Sequence, residues 1–130
     1  MEETMLDYIK ESSTLVKNNT INSRELTKEA VEKYLEKDFN RIIIIASGSS
    51  YNGCCCSRLF MEKLLKVKVD VITSFSFSNF ETIFDDRTFV FGVGQSGRSF
   101  NTNDALDKAR ANGLTAVGLT GNVEAIMKDH

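Results

Sequence analysis

Arg41-Ile42-Ile43-Ile44-Ile45-Ala46-Ser47-Gly48-Ser49-Ser50-Tyr51 decides the fold: four isoleucines in a row stop abruptly at a Ser/Gly/Ser/Ser cluster. β-branched side chains crowd a helix but suit a pleated surface, and an apolar run without alternation marks a strand covered on both faces, as in a parallel sheet. Such a strand sits centrally, and the polar tetrad lies at its carboxyl end, where open α/β sheets bind ligands. Thr88-Phe89-Val90-Phe91-Gly92-Val93 has the same build and runs into Gly94-Gln95-Ser96-Gly97-Arg98-Ser99. Two strands that deliver hydroxyls and glycines to one edge of a sheet make a pocket.

Outward from these two stretches the chain reads as helices alternating with strands. Met5, Ile9, Leu15 and Val16 predict an amphipathic helix over 3–17 that ends near Asn18-Asn19. Asn22 and Glu25 have capping-box spacing before a second helix, striped by Leu26, Ala30, Val31, Tyr34 and Leu35 and running to about Lys37. After the first strand, Cys56, Leu59, Phe60 and Leu64 fall on one helical face, toward the sheet, and Arg58, Glu62, Lys63 and Lys66 on the other. Val67 to Thr73 is the second strand. Phe75, Phe77 and Phe80 alternate with serines, as either strand or short irregular helix, and Glu81 to Phe84 adds a helical turn. Asn101 or Thr102 caps a helix carrying Ala105, Leu106 and Ala109 that stops at Asn112-Gly113. Thr115 to Leu119 is a fourth strand, followed by a short helix over 123–129. The order implies a three-layer α-β-α sandwich around a parallel sheet of four or five strands, preceded by two helices: a helical segment over 1–38, then one α/β domain over 39–130.

Composition narrows the function. The 130 residues suffice for one core, and 16 basic against 18 acidic residues give a net charge of −2. With no basic cluster, electrostatic binding of nucleic acid is not expected. No apolar run approaches the roughly 18 residues of a membrane span, and the acidic N-terminus lacks the build of a signal peptide. A cytoplasmic protein without membrane association is expected. The three cysteines are consecutive, Cys54-Cys55-Cys56, a spacing that suits neither a disulfide framework nor a metal chelate. They read as packing residues of a helix, with no metal and no cofactor expected.

The four strands end in Ser47/Ser49/Ser50, Thr73/Ser74, Ser96/Ser99 and Thr120. Hydroxyls with glycine-flanked N–H groups at helix N-termini favour an anion such as phosphate. Each cluster alone is also an ordinary set of N-caps; the pairing of two favours the anion site. No P-loop is present. Gly92-Val93-Gly94-Gln95-Ser96-Gly97 carries the letters of a dinucleotide fingerprint but begins inside a strand, which leaves a Rossmann-like nucleotide domain as the weaker alternative.

Gly48-Ser49-Ser50-Tyr51 and Gly94-Gln95-Ser96-Gly97-Arg98-Ser99-Phe100-Asn101-Thr102 resemble the two loops of the SIS (sugar isomerase) family of phosphosugar-binding domains. Similarity is greatest to the branch containing the isomerase part of glutamine:fructose-6-phosphate amidotransferase. The resemblance runs from about Arg41 to the end and implies a flavodoxin-like topology. It implies that Ser50, Gln95, Ser96 and Ser99 hold a sugar phosphate, that Ser49 and Gly97 shape the turns, and that Gly48, Tyr51 and Thr102 support them. The sequence departs from the family pattern at Gly94 for a serine, Asn101 for an acid and Phe75 for a glutamate. The resemblance implies an aldose/ketose phosphate isomerase or an amidotransferase-free glucosamine-6-phosphate-synthase-like protein, with a regulatory sugar-phosphate sensor as the alternative. In that branch the Glu, His and Lys of catalysis come largely from a second SIS half or a partner subunit, whereas the only histidine here is His130. The family sheet has a fifth strand beyond the last one read here, so the amino-terminal half of a longer protein, or a shortened product, not catalytically complete by itself, is the expectation. So is a homodimer or larger assembly, covering the last strand's edge and the apolar stripe of the first helix.

Overall fold

A computed structural model describes residues 3–129 and divides into a helical unit ending at Glu36 and an α/β unit starting at Lys37. In the helical unit, α1 (Met5–Ile21) opens on a capping box. The Thr4 amide and hydroxyl both donate to the Asp7 carboxylate, at 2.9 and 2.7 Å, and these bonds hold its pKa below the ordinary value. The helix runs past the expected stop at Asn18-Asn19. Two of its interior hydroxyls bond back along the helix: Ser12 donates to the Tyr8 carbonyl and Thr20 to that of Val16, each at 2.8 Å. Asn22 does not form the expected box with Glu25. Its amide donates back to the Asn18 carbonyl, closing α1, so the second helix becomes a single turn, α2 (Ser23–Leu26), followed by α3 (Lys28–Leu35). No residue of these three helices is buried.

The α/β unit holds four parallel strands: β1 (Arg41–Ala46), β2 (Lys68–Thr73), β3 (Thr88–Gly94) and β4 (Thr115–Thr120), in the order β2-β1-β3-β4. Ile44 lies between Val71 and Phe91, and Ile42 to Ala46 are all buried, as an unalternating run requires of a central strand. Successive side chains point to opposite faces. On one face Ile43, Ile45 and Val90 join Phe77 of α5 (Ser74–Phe80) and Leu106 of α6 (Phe100–Ala111) in the main core. The other face is covered by α4 (Gly48–Leu65). The Phe75–Phe80 ambiguity is settled as helix, while 81–85 is irregular and the expected turn there is absent. After β4 only a 3-10 turn, Ile126–Asp129, is regular, in place of the short helix expected over 123–129.

The orientation of α4 corrects the sequence reading. Leu59, Phe60 and Leu64, expected against the sheet, are 67%, 64% and 62% exposed, and Cys56 is exposed beside them. The inner face carries Cys54 and Met61 with Arg58 and Glu62, two of the four charged residues expected outside. Arg58 Nε donates to the Val69 carbonyl at 2.8 Å, and Glu62 accepts from the Val69 N–H at 2.9 Å. β2 is an edge strand, so alternate peptide groups turn away from β1, and these side chains satisfy them. Periodicity weighed apolar contact and missed an edge that needed polar partners. At the opposite edge Arg110 donates to the Ala116 carbonyl at 2.9 Å, so β4 is less bare than the sequence suggested.

Candidate functional site

The order β2-β1-β3-β4 reverses direction between β1 and β3, and in open α/β sheets a crevice opens at the carboxyl end of such a pair. Here the crevice is a cleft of about 310 Å³. The β1 side contributes Gly48, Ser49 and Ser50, and the β3 side Gln95, Ser96 and Ser99, with Thr102 behind them. Val93 and Gly94, absent from the sequence-based site, line it too, as does Ser47, read there only as a strand-end hydroxyl. Ser47 and Gly94 stood inside the two quoted motifs, so adjacency was signal enough; Val93 was read only as strand.

Helix geometry aims positive partial charge at this cleft. Ser47 caps α4 and Ser99 caps α6, both with extended backbone, yet neither side chain accepts a hydrogen bond from its own first turn. The leading N–H groups of two long helices are thus left without side-chain caps at the rim of the same cleft, where unpaired amides and helix dipoles favour a negative guest. The corrected cap of α6 is Ser99, not Asn101 or Thr102. Both lie inside the helix, and Thr102 is buried. The lining side chains are hydroxyl, amide and aliphatic groups, with no carboxylate among them to repel an anion.

The loop after β3 is braced from behind. Gly97 has φ +65°, and its carbonyl accepts from the Met127 N–H at 3.2 Å and from the Asn103 amide at 3.4 Å. The Gln95 carbonyl accepts from the Thr120 hydroxyl at 3.2 Å and the Gly121 N–H at 3.0 Å. In a planar trans peptide the N–H points opposite to the C=O, so this anchoring turns the Ser96 N–H away from β4. Gly97 itself does not line the cleft; it is buried and shapes the turn.

Of the four strand-end hydroxyl clusters, two face the cleft and two do other work. Thr73 accepts from the Ser76 N–H at 3.2 Å, capping α5, and Ser74 is buried with its Oγ 2.8 Å from Thr102 Oγ1. Thr120 braces the Gln95 carbonyl. Tyr51 sits in the first turn of α4 without lining the cleft, and a hydrogen bond with the Cys55 side chain raises its phenol above the ordinary range. Phe75, where the family pattern has a glutamate, is 56% exposed. His130 lies outside the described residues. Among the described residues no helix is long and apolar enough to cross a membrane.

A family model described as the SIS domain matches residues 36–130. An isomerizing glutamine–fructose-6-phosphate aminotransferase of Aquifex aeolicus is 33% identical over 106 residues, covering 82% of this chain and 18% of that protein. Among solved structures, a provisionally assigned phosphosugar isomerase from Clostridium difficile 630 superposes with a TM-score of 0.84 at 26% identity, over 98% of this chain and 36% of that one. The C-terminal domain of glucosamine-fructose-6-phosphate aminotransferase from Francisella tularensis gives 0.82 at 22% identity, over 96% of this chain and 36% of that one, a likeness of fold. The chain thus spans about a fifth of that curated relative and little more than a third of these structures.

Proposed function

The chain belongs to the SIS domain family, and from that premise we propose that its cleft binds the phosphate group of a sugar phosphate. One observation carries the reading: two helix N-termini without side-chain caps and the hydroxyls of Ser50, Ser96 and Ser99 converge on a cleft at the switch point of the sheet. Ser50, Ser96 and Ser99 donate hydroxyl hydrogen bonds, the Gln95 amide adds another, and Ser49 and Gly97 hold the turns that aim backbone N–H groups. Gly48, Tyr51 and Thr102 support them.

Isomerisation of a sugar phosphate needs a base that moves a proton between adjacent carbons and an acid for ring opening. The cleft supplies binding groups, so the chain acts as the phosphate-holding module of a sugar-phosphate isomerase or glucosamine-6-phosphate-synthase-like activity whose titrating groups come from outside the cleft described here. The relatives' names, an isomerizing aminotransferase and phosphosugar isomerases, support that class.

The test is binding. A hexose 6-phosphate raises the unfolding midpoint by mass action, and the parent hexose does not. Losing a hydroxyl that bonds a charged ligand costs roughly 1.5–3 kcal/mol, so Ser50→Ala and Ser96→Ala each weaken the hexose 6-phosphate about tenfold or more. Equal affinity for the sugar with and without its phosphate refutes the assignment.

A further inference from the structure

From Ser99 in the cleft a chain of hydroxyls runs back into the core through Thr102 to Ser74. Ser74, at the start of α5, is fully buried, and Thr102, in the first turn of α6, is 1% exposed; their oxygens are 2.8 Å apart, with either able to donate. Thr102 Oγ1 also lies 3.2 Å from Ser99 Oγ, in the geometry of a donor to it. Ser99 is the only member that is not deeply buried, and it lines the cleft.

Each hydroxyl has one proton, so the three donate in series in one direction or the other. When Thr102 gives its proton to Ser99, the short contact with Ser74 is satisfied only if Ser74 donates to Thr102. Ser99 then accepts from behind, which leaves its own proton to point into the cleft. The opposite flow, Ser99 donating to Thr102, would turn Ser99 lone pairs toward an incoming anion. Donation in series also polarises each hydroxyl and strengthens the last donor. The far end of the chain is clamped: Lys108 of α6 donates to the carbonyls of Phe77, Ser78 and Glu81 at 3.0, 2.8 and 2.7 Å, tying α5 to α6.

We infer that Ser74 and Thr102 are positioning residues that orient Ser99 as a donor to a bound phosphoryl group. This rests on the phosphate reading of the cleft and extends it from Ser99 to the buried hydroxyls behind it.

The experiment titrates inorganic phosphate into the full chain by amide NMR, with urea unfolding run separately on every variant. Thr102→Val, which keeps shape and removes the hydroxyl, weakens phosphate about fivefold, the loss of roughly one hydrogen bond. Thr102→Ser restores it to within about twofold of the parent. A relay acts only through its last member, so in a Ser99→Ala background Thr102→Val leaves phosphate affinity unchanged, which a general loosening of the fold would not do. Ser74→Ala behaves as Thr102→Val and carries the test if the valine variant does not fold. An unchanged affinity in folded Thr102→Val, or the same loss with and without Ser99, overturns the relay while leaving the phosphate site standing. A parent protein that binds no phosphate overturns both.

Discussion

Replacing Gly97 with alanine separates backbone strain from packing at the centre of the binding loop. Gly97 has φ +65°, where a Cβ costs an ordinary residue about 1–2 kcal/mol. A Cβ built there would also stand 2.6 Å from Ala125 Cβ and 2.6 Å from Thr120 Oγ1. Neither atom is the far end of a flexible side chain, and Thr120 is bonded to the Gln95 carbonyl and to the Asn122 N–H. Overpacking of this kind adds about 1–3 kcal/mol. Gly113, φ +78°, carries the same kind of strain with nothing within 4 Å of its Cβ, and it lies in the turn leading into β4, at the amino-terminal ends of the strands, opposite the cleft. Gly113→Ala therefore loses about 1–2 kcal/mol from the backbone alone, and Gly97→Ala about 2–5 kcal/mol. Urea unfolding reads the difference. Hexose 6-phosphate affinity drops for Gly97→Ala, which displaces Gln95 and Ser96, and stays level for Gly113→Ala. Equal destabilisation by the two substitutions would show that the loop yields freely and that its bracing from β4 does not hold the site in shape.

The cysteine run divides by burial: Cys54→Ala lowers stability by about 1 kcal/mol, while Cys55→Ser and Cys56→Ser stay within about 0.5 kcal/mol. Iodoacetamide labels Cys55 and Cys56 before Cys54, whose thiol is buried and held above its ordinary pKa by that burial, and a chelator leaves the unfolding midpoint in place; stoichiometric zinc whose removal unfolds the chain would refute this. Glu62 has its pKa lowered from 4.5, first by the Val69 N–H and then, against the opposing cost of burial, by Lys68 and Arg58. A depressed carboxyl stabilises above its unfolded pKa and loses that contribution as pH falls through the folded value, so Glu62→Gln is less stable than the parent at neutral pH and the gap closes on acidification below about 4.5. A gap that persists at pH 2 would assign the effect to something other than charge. Met5, Ile9 and Val16 remain exposed on α1, and sedimentation at micromolar concentration is expected to show a dimer or larger assembly; a monomer that binds hexose 6-phosphate tightly would remove the argument.

The legible part of the fold was the part where one physical demand dominates. In Ile42 to Ile45 burial on two faces leaves no competing requirement, and the strand, its central place and its parallel neighbours followed from composition alone. In α4 two demands compete. The apolar stripe of Leu59, Phe60 and Leu64 asked to face inward, while the outward peptide groups of β2 needed a guanidinium and a carboxylate, and Arg58 and Glu62 met that need. An unsatisfied peptide group buried at an edge costs as much as a lost hydrogen bond, whereas exposing single apolar residues is common on protein surfaces. The helix rotated to the costlier requirement, and no periodicity within its own sequence records the peptides of another strand.

The candidate site divides along the same line. Their glycine-rich loops and their resemblance to the SIS motifs set Ser49/Ser50 and Ser96/Ser99 apart from Thr73/Ser74 and Thr120 in the sequence. The physical reason is the strand order, which a linear reading does not contain: β1 and β3 are the central pair from which the chain departs in opposite directions, so only their ends open on a crevice. The hydroxyls after β2 and β4 lie to either side and turn inward, Ser74 onto Thr102 and Thr120 onto the Gln95 carbonyl. Their position makes them supports for the two loops between them. It follows that substitutions at Ser74 and Thr120 alter the cleft only through Ser99 and Gln95, while substitutions at Ser50 and Ser96 alter it directly. That ordering of direct and transmitted effects is fixed by topology before any ligand is named.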